Sequence, residues 1–323
     1  MNRVLSLLPS ATEIIYELGA DDMLVGVTHE CDYPEAARAK PRLTSAKIDP
    51  SMASDRIDEL VRQQLEDGGT LYMLDMDLLQ QIRPDLVLTQ QLCTVCAVGY
   101  ATVHAAMRAL PQPPEVVNLE PNTLDDVIRT IVDVGEYLDL RERAVERAAA
   151  LRARLAAIPP LPERPRLLFL EWLIPPFSAG HWIAELIEAA GAIPMLANPD
   201  EYSRQLAWET IGAARFDTLV ISCCGFNVER ATQDLAASDE LQALLAERPG
   251  LELFVFDGNH FFSRPGPRLI ESAELLNRAL AGVPPGDAGA TVPDPYRTFG
   301  AAEIAAMRKG GLMPSPAGDL PIR

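Results

Sequence analysis

Cysteines offer the most specific chemistry in this sequence. The chain carries Cys31, Cys93, Cys96, Cys223 and Cys224. An odd number, with one Cys-x-x-Cys and one adjacent pair, is unlike the disulfide framework of a secreted domain. Two residues between Cys93 and Cys96 let both sulfurs reach one ion from a single turn. Joined by Cys31 and by a thiol from the 223–224 pair, they would suit zinc or an iron–sulfur cluster, each of which accepts four sulfur ligands. The alternatives are a redox pair, a thiolate touching an organic ligand, or simply small buried apolar side chains. His29 and His181 could add ligands or carry protons, with Glu30 and Glu171 beside them in sequence. Each histidine could equally serve a turn or a helix start. His104 reads as structural or solvated, and His260 is open. Trp172, Phe177, Trp182, Phe226, Phe261 and Phe262 supply the flat apolar area that a bulky ligand needs, or else fill a core. Arg264 and Arg268 flank a rigid Pro-Gly-Pro and can grip carboxylate, amide or phosphate in bidentate fashion, with a surface ion pair as the alternative.

These residues share a position: each group follows an expected strand. Leu24–Val27 precedes His29-Glu30-Cys31. Leu86–Thr89 precedes Cys93-x-x-Cys96, and Leu167–Leu170 precedes Glu171-Trp172. Leu219–Ser222 precedes Cys223-Cys224-Gly225-Phe226, and Leu253–Phe256 precedes Asp257-Gly258-Asn259. Ligands of open parallel α/β sheets bind at the carboxyl ends of strands, where loops and helix N-termini converge. Strand–helix alternation before residue 140 and after 159 predicts mostly parallel sheets covered by helices. Val4–Leu8 is the first strand. Ser10 with Glu13 has the spacing of a capping box at the start of the next helix, and Gly19 suits its end. Further helices are expected at 57–65, 77–82, 102–110, 183–190 and 269–281. Between the alternating regions, residues 141–157 mix Arg and Glu with Ala and Leu and stop at Pro159-Pro160, as a partly exposed connecting helix would. The expected organisation is an α/β fold of two Rossmann-like lobes, 1–140 and 159–282, joined by one long helix at 141–158. A Pro- and Gly-rich tail of low intrinsic order, 283–323, follows them.

Bulk properties set limits. With 323 residues, 48% hydrophobic and 23% charged, the chain can bury a sizeable core. A net charge of −18 argues against nucleic acid and anionic membranes as partners. No stretch approaches the ~20 apolar residues of a membrane span. The apolar start is too short for a secretory signal and runs straight into Pro9-Ser10, so the expected location is the cytoplasm.

The opening Val4-Leu5-Ser6-Leu7-Leu8-Pro9-Ser10-Ala11-Thr12-Glu13-Ile14, Asp85-Leu86-Val87-Leu88 and the connecting helix resemble the helical-backbone substrate-binding proteins of cobalamin, haem and siderophore importers. The resemblance covers residues 1 to about 282 and implies the class III substrate-binding-protein fold, whose lobes close only slightly on ligand. Thr28–Pro34, Cys93-x-x-Cys96-Ala97, Pro175–Trp182, Cys224-Gly225-Phe226 and Asp257-Gly258-Asn259 further resemble a cytoplasmic, cysteine-containing cobalamin-binding branch. Within that branch the matched thiols are Cys31, Cys93, Cys96 and Cys224.

The resemblance implies a binder of a corrinoid (cobalamin-like) or other metal-containing cofactor in the cleft, lined by His29, Glu30, Glu171, Trp172, Phe177, His181, Trp182, Phe226, Asn259, Arg264 and Arg268. A transporter or cofactor-handling partner would follow. The alternative is a metalloprotein with its own iron–sulfur or zinc centre used in redox, sensing or cofactor handling. An enzyme ranks third: no nucleophile elbow, phosphate loop or hydrolase metal motif is present, and no catalytic residue is assigned.

Overall fold

The computed structural model describes residues 3–66, 70–90, 100–199, 201–287, 290–300 and 303. The N-terminal lobe runs β1 (Val4–Ser6), α1 (Pro9–Glu17), β2 (Leu24–Val27), a 3-10 turn (Glu35–Ala39), β3 (Thr44–Ala46), α2 (Ser54–Glu66), β4 (Tyr72–Leu74), α3 (Met76–Ile82), β5 (Leu86–Thr89), α4 (Tyr100–Arg108) and β6 (Glu115–Asn118). Helices α5 (Leu124–Tyr137) and α6 (Arg141–Ala156) follow. The C-terminal lobe holds β7 (Arg166–Leu173), β8 (Pro176–Ser178), α7 (Ile183–Ala189), β9 (Ile193–Met195), α8 (Trp208–Ala213), β10 (Thr218–Ile221), α9 (Val228–Ala237), α10 (Asp239–Glu247), β11 (Glu252–Phe256), α11 (Leu269–Leu280) and β12 (Tyr296–Phe299).

Both sheets are doubly wound. The first has the order β2-β1-β5-β6 and is parallel throughout. The second has the order β12-β11-β10-β7-β8, with β9 also pairing β7. Its centre, β7-β10-β11, is parallel, as is β9 on β7, while β12 and β8 pair antiparallel at the two ends. Strands such as Leu86–Thr89 and Thr218–Ile221 are apolar on both faces because helices cover both.

Helix α6 ties the lobes together. Its buried stripe is Ala144, Ala148 and Leu151, at helical spacing. It lies so close to α5 that a Cβ on Gly135 would sit 2.3 Å from Ala144 Cβ. Arg143 and Arg147 of α6 reach Leu18 and Glu17 at the end of α1, and Arg154 reaches Glu274 of α11. One apolar core accordingly runs through both lobes, from Val4, Ile14 and Ile131 to Phe169, Leu186, Phe256 and Leu276.

Two expectations need correction. Ser10 and Glu13 do not form a capping box: Leu8 is the N-cap, without a side-chain cap, and Pro9 starts the helix. Proline at that place has no N–H to satisfy, while the buried Glu13 carboxylate finds cationic partners elsewhere. The segment after Val283 is also not simply a loose tail. Tyr296–Phe299 adds an antiparallel strand to β11, Tyr296 is buried with its hydroxyl on Val283 O, and Thr291 bonds Glu271. The β3–β4 pair, α8 to α10 and the short β8 and β9 extend what the pattern predicts.

Candidate functional site

The loop after β2 is tied down residue by residue. Thr44 Oγ1 accepts the His29 backbone N–H at 3.0 Å and lies 2.7 Å from both His29 Nδ1 and Thr28 Oγ1. His29 Nε2 faces Glu30 Oε1 at 3.1 Å. That imidazole holds the Glu30 carboxyl below the usual glutamate range, against the opposing effect of burial. Cys31 is buried, its sulfur 3.0 Å from Thr12 Oγ1. Burial pushes its thiol up to about 12, against the opposing hydrogen bond of Thr12.

Asp32 carries the contact between lobes. Its Oδ1 accepts from Arg264 Nη1 at 2.6 Å and its Oδ2 from Asn259 Nδ2 at 2.9 Å, with His260 Nε2 3.5 Å away. Burial pushes its carboxyl up, yet Arg264, Asn259 and His260 outweigh burial and hold it below the usual aspartate range. Asp257 anchors His260 from the other lobe, taking its backbone N–H at 2.9 Å and lying 3.0 Å from Nδ1. Arg264 also donates to Glu30 O and Asn259 Oδ1.

Glu13 completes the cluster. Its carboxylate, only 2% exposed, accepts two hydrogen bonds from Arg268, 3.0 Å from Nε and 2.6 Å from Nη2, with Arg264 at 3.5 Å. The Arg268 guanidinium lies 3.9 Å above the Tyr33 ring. Gly266 packs so closely on α1 that an added Cβ would meet Ser10 Cα at 3.3 Å. The two arginines, expected to grip a ligand, here join the lobes through protein carboxylates.

The aromatic residues separate into groups. Trp172, at the end of β7, and Phe226, after β10, hold their rings 4.8 Å apart, and Arg230 lies 4.4 Å over Phe226. Phe177 pairs with Trp172 across the β7–β8 hairpin. Glu171 Oε1 accepts the Gly180 N–H at 2.8 Å, closing the same hairpin. Trp182 is buried and donates from Nε1 to Phe262 O, so it belongs to the core, as do Phe261 and Phe262. His181 stacks on Trp182 and meets Tyr202 edge-on. Burial lowers its pKa and favours the neutral ring.

The structure therefore gathers His29, Glu30, Asn259, His260, Arg264 and Arg268 at the junction of the lobes, with Trp172, Phe177 and Phe226 at the C-terminal strand ends. His181 and Trp182 form a separate group. Cys224 is partly exposed, its N–H on Glu171 O, and Cys223 is buried. Cys93 and Cys96 lie outside the described residues. Among the described residues no three of His, Cys, Asp or Glu are arranged to hold a metal ion, and no helix is long and apolar enough to cross a membrane. Glu13, Ser54, Arg230 and Asp234 escaped sequence reasoning. A carboxylate preceding Ile14-Ile15 was a usable signal, because a charge on an apolar face needs a buried partner.

Two helix-covered α/β sheets joined by a helical spine, with strand-end loops meeting at the junction, define a two-lobed architecture. The family model described as periplasmic binding protein matches residues 4–250, and the chain belongs to that family. A vitamin B12-binding protein of Yersinia pestis (strain Pestoides F) is 21% identical over 294 residues, covering 87% of each chain. A periplasmic heme binding protein from Pseudomonas aeruginosa shares the fold with a TM-score of 0.65 and 19% identity, over 92% of this chain and 97% of that one. The periplasmic vitamin B12 binding protein BtuF of Vibrio cholerae matches with a TM-score of 0.57 and 18% identity, over 87% and 96%.

Proposed function

We propose that this protein is a non-catalytic binding protein for a corrinoid or similarly bulky metal-containing cofactor, held between the lobes and passed to an ABC-type transporter or cofactor-handling partner. The observation that carries this reading is the Trp172–Phe226 aromatic pair at the carboxyl ends of β7 and β10, its rings 4.8 Å apart and tilted by 42°. Such a platform suits a flat macrocycle, and the partly exposed Glu30 at the end of β2 adds a polar contact for its periphery. Family membership and the named binders of vitamin B12 and heme support the ligand class.

Titration of purified protein with cyanocobalamin and with haemin tests the proposal. Saturable one-to-one uptake, a visible difference spectrum and quenching of tryptophan emission are expected, all weakened by Trp172→Ala. Absence of uptake of either compound by folded protein, under reducing and oxidising conditions, refutes it.

A further inference from the structure

The lobes are joined unequally on the two faces of their sheets. On the face of α1, α5, α6, α7 and α11 a single apolar core crosses from one lobe to the other. On the opposite face the cores form two separate clusters among the described residues. One holds Leu5, Leu43, Leu79 and Val87, and the other Leu170, Ile221, Phe226 and Val255. The cleft therefore has a fused back and an unfused front.

Across that front reaches the arm that leaves the first lobe at β3 and carries α2. Ile57 of α2 is the N-lobe side chain packed on the C-terminal cluster among the described residues. Ser54 Oγ donates to the Asp234 carboxylate and accepts from Arg230 Nη2 at 3.0 Å. The same guanidinium nitrogen donates to Met52 O at 3.0 Å, and Arg62 reaches Gln205 Oε1 at 3.3 Å. Ser54 and Asp234 are 2% and 4% exposed, so this polar joint is dry. Arg230 is itself the cation that covers Phe226 and, through it, the ring of Trp172.

We propose that α2, with residues 52–54 before it, is a gate across the front of the cleft. Arg230 and Asp234 of α9 are its latch. The gate is held by a few hydrogen bonds and one apolar side chain, the composition of a segment that opens locally at low cost. The back is held by a buried ion cluster and a continuous core and stays shut during the same motion. When the gate swings out, Arg230 loses Met52 and Ser54 and keeps Asp234, which lets its guanidinium shift off the Phe226 ring. Admission and release of ligand then run through the gate, with little rotation of the lobes. The gate's part in ligand traffic rests on the proposed function; its opening does not.

The test uses Ser54→Ala/Ile57→Ala, which removes the Ser54 hydrogen bonds and the Ile57 contact and leaves the Arg230–Asp234 pair of α9 intact. In ligand-free protein, amide hydrogen exchange across Ser54–Glu66 is expected to accelerate by about 10-fold or more while Pro9–Glu17 and Leu269–Leu280 keep wild-type protection. Unchanged exchange in α2 overturns the gate, and so does acceleration spread equally over α1 and α11. With cyanocobalamin and haemin as probes, stopped-flow mixing should show association and dissociation rates rising together in the variant. Unchanged rates despite a loosened α2 also overturn the gate. If neither probe binds the wild type, the functional proposal fails, and the exchange data alone decide whether the gate exists.

Discussion

Replacing Glu13 by alanine should cost more stability than its place near a helix start implies. In the folded protein its carboxylate is, among the described residues, the recipient of the Arg268 Nε and Nη2 hydrogen bonds and lies 3.5 Å from Arg264. Arg264 retains Asp32 in the variant, but among the described residues Arg268 keeps the Tyr33 and Phe261 rings and no carboxylate as neighbours for its charge. Removing one partner of a buried pair costs about 3–5 kcal/mol, because the other charge stays out of water uncompensated. With a urea m-value of about 3 kcal/mol/M, that is a midpoint lower by about 1–1.7 M. Urea unfolding followed by circular dichroism and tryptophan emission is the assay. A second variant, Glu13→Leu/Arg268→Met, removes both charges and should recover much of the loss, since apolar replacement of a buried pair is often close to neutral. A loss below about 1 kcal/mol for Glu13→Ala, or a double variant less stable than the single one, would refute the reasoning.

Acid should weaken the same junction. Asp32 and Glu30 both have depressed folded pKa values, so they bind fewer protons folded than unfolded. Their contribution is complete above the unfolded values near ~4 and is lost as pH falls through the folded ones. Melting curves from neutral pH downward should show Asp32→Asn starting less stable than wild type and losing less on acidification; equal acid slopes would contradict this. Ending the chain at Gly282 removes β12 and uncovers the β11 edge. The buried Tyr296 and Phe299 should make this cost about 3 kcal/mol or more, with self-association visible by gel filtration. A monomer with a wild-type urea midpoint would count against it. Finally, Cys31, pushed to about 12, and Cys223, raised by burial and by Asp234, should resist iodoacetamide in the native protein. Cys224 should be labelled before either, as read by peptide mass spectrometry; rapid native labelling of Cys31 would show that its pocket opens.

Much of the scaffold was legible because buried parallel strands write themselves as short apolar runs. Leu86–Thr89, Thr218–Ile221 and Glu252–Phe256 lie within a residue or so of where those runs put them. The connecting helix was legible from its Ala and Leu spacing before Pro159, and is observed at Arg141–Ala156. Short pieces were harder. Tyr296–Phe299 has a strand's aromatic and β-branched residues, yet four residues amid Pro and Gly carry little pattern of their own. The site was legible in residue type and strand-end position, but not in partnership. Glu13 and Arg268 stand 255 positions apart, and no local spacing announces that they meet. Ser10 and Glu13 were misread because a capping box and a buried ion pair draw on the same residue types.

The apolar core that passes unbroken from Val4 to Leu276 has a consequence for the autonomy of the halves. On this face of the sheets neither lobe owns its hydrophobic interior, since Ile131 and Val134 of α5 share one cluster with Leu186 and Ile187 of α7. A fragment ending after α5 would leave that shared surface in water, as would one beginning at β7. The two lobes are therefore one cooperative folding unit with a groove cut into it, rather than two domains on a tether.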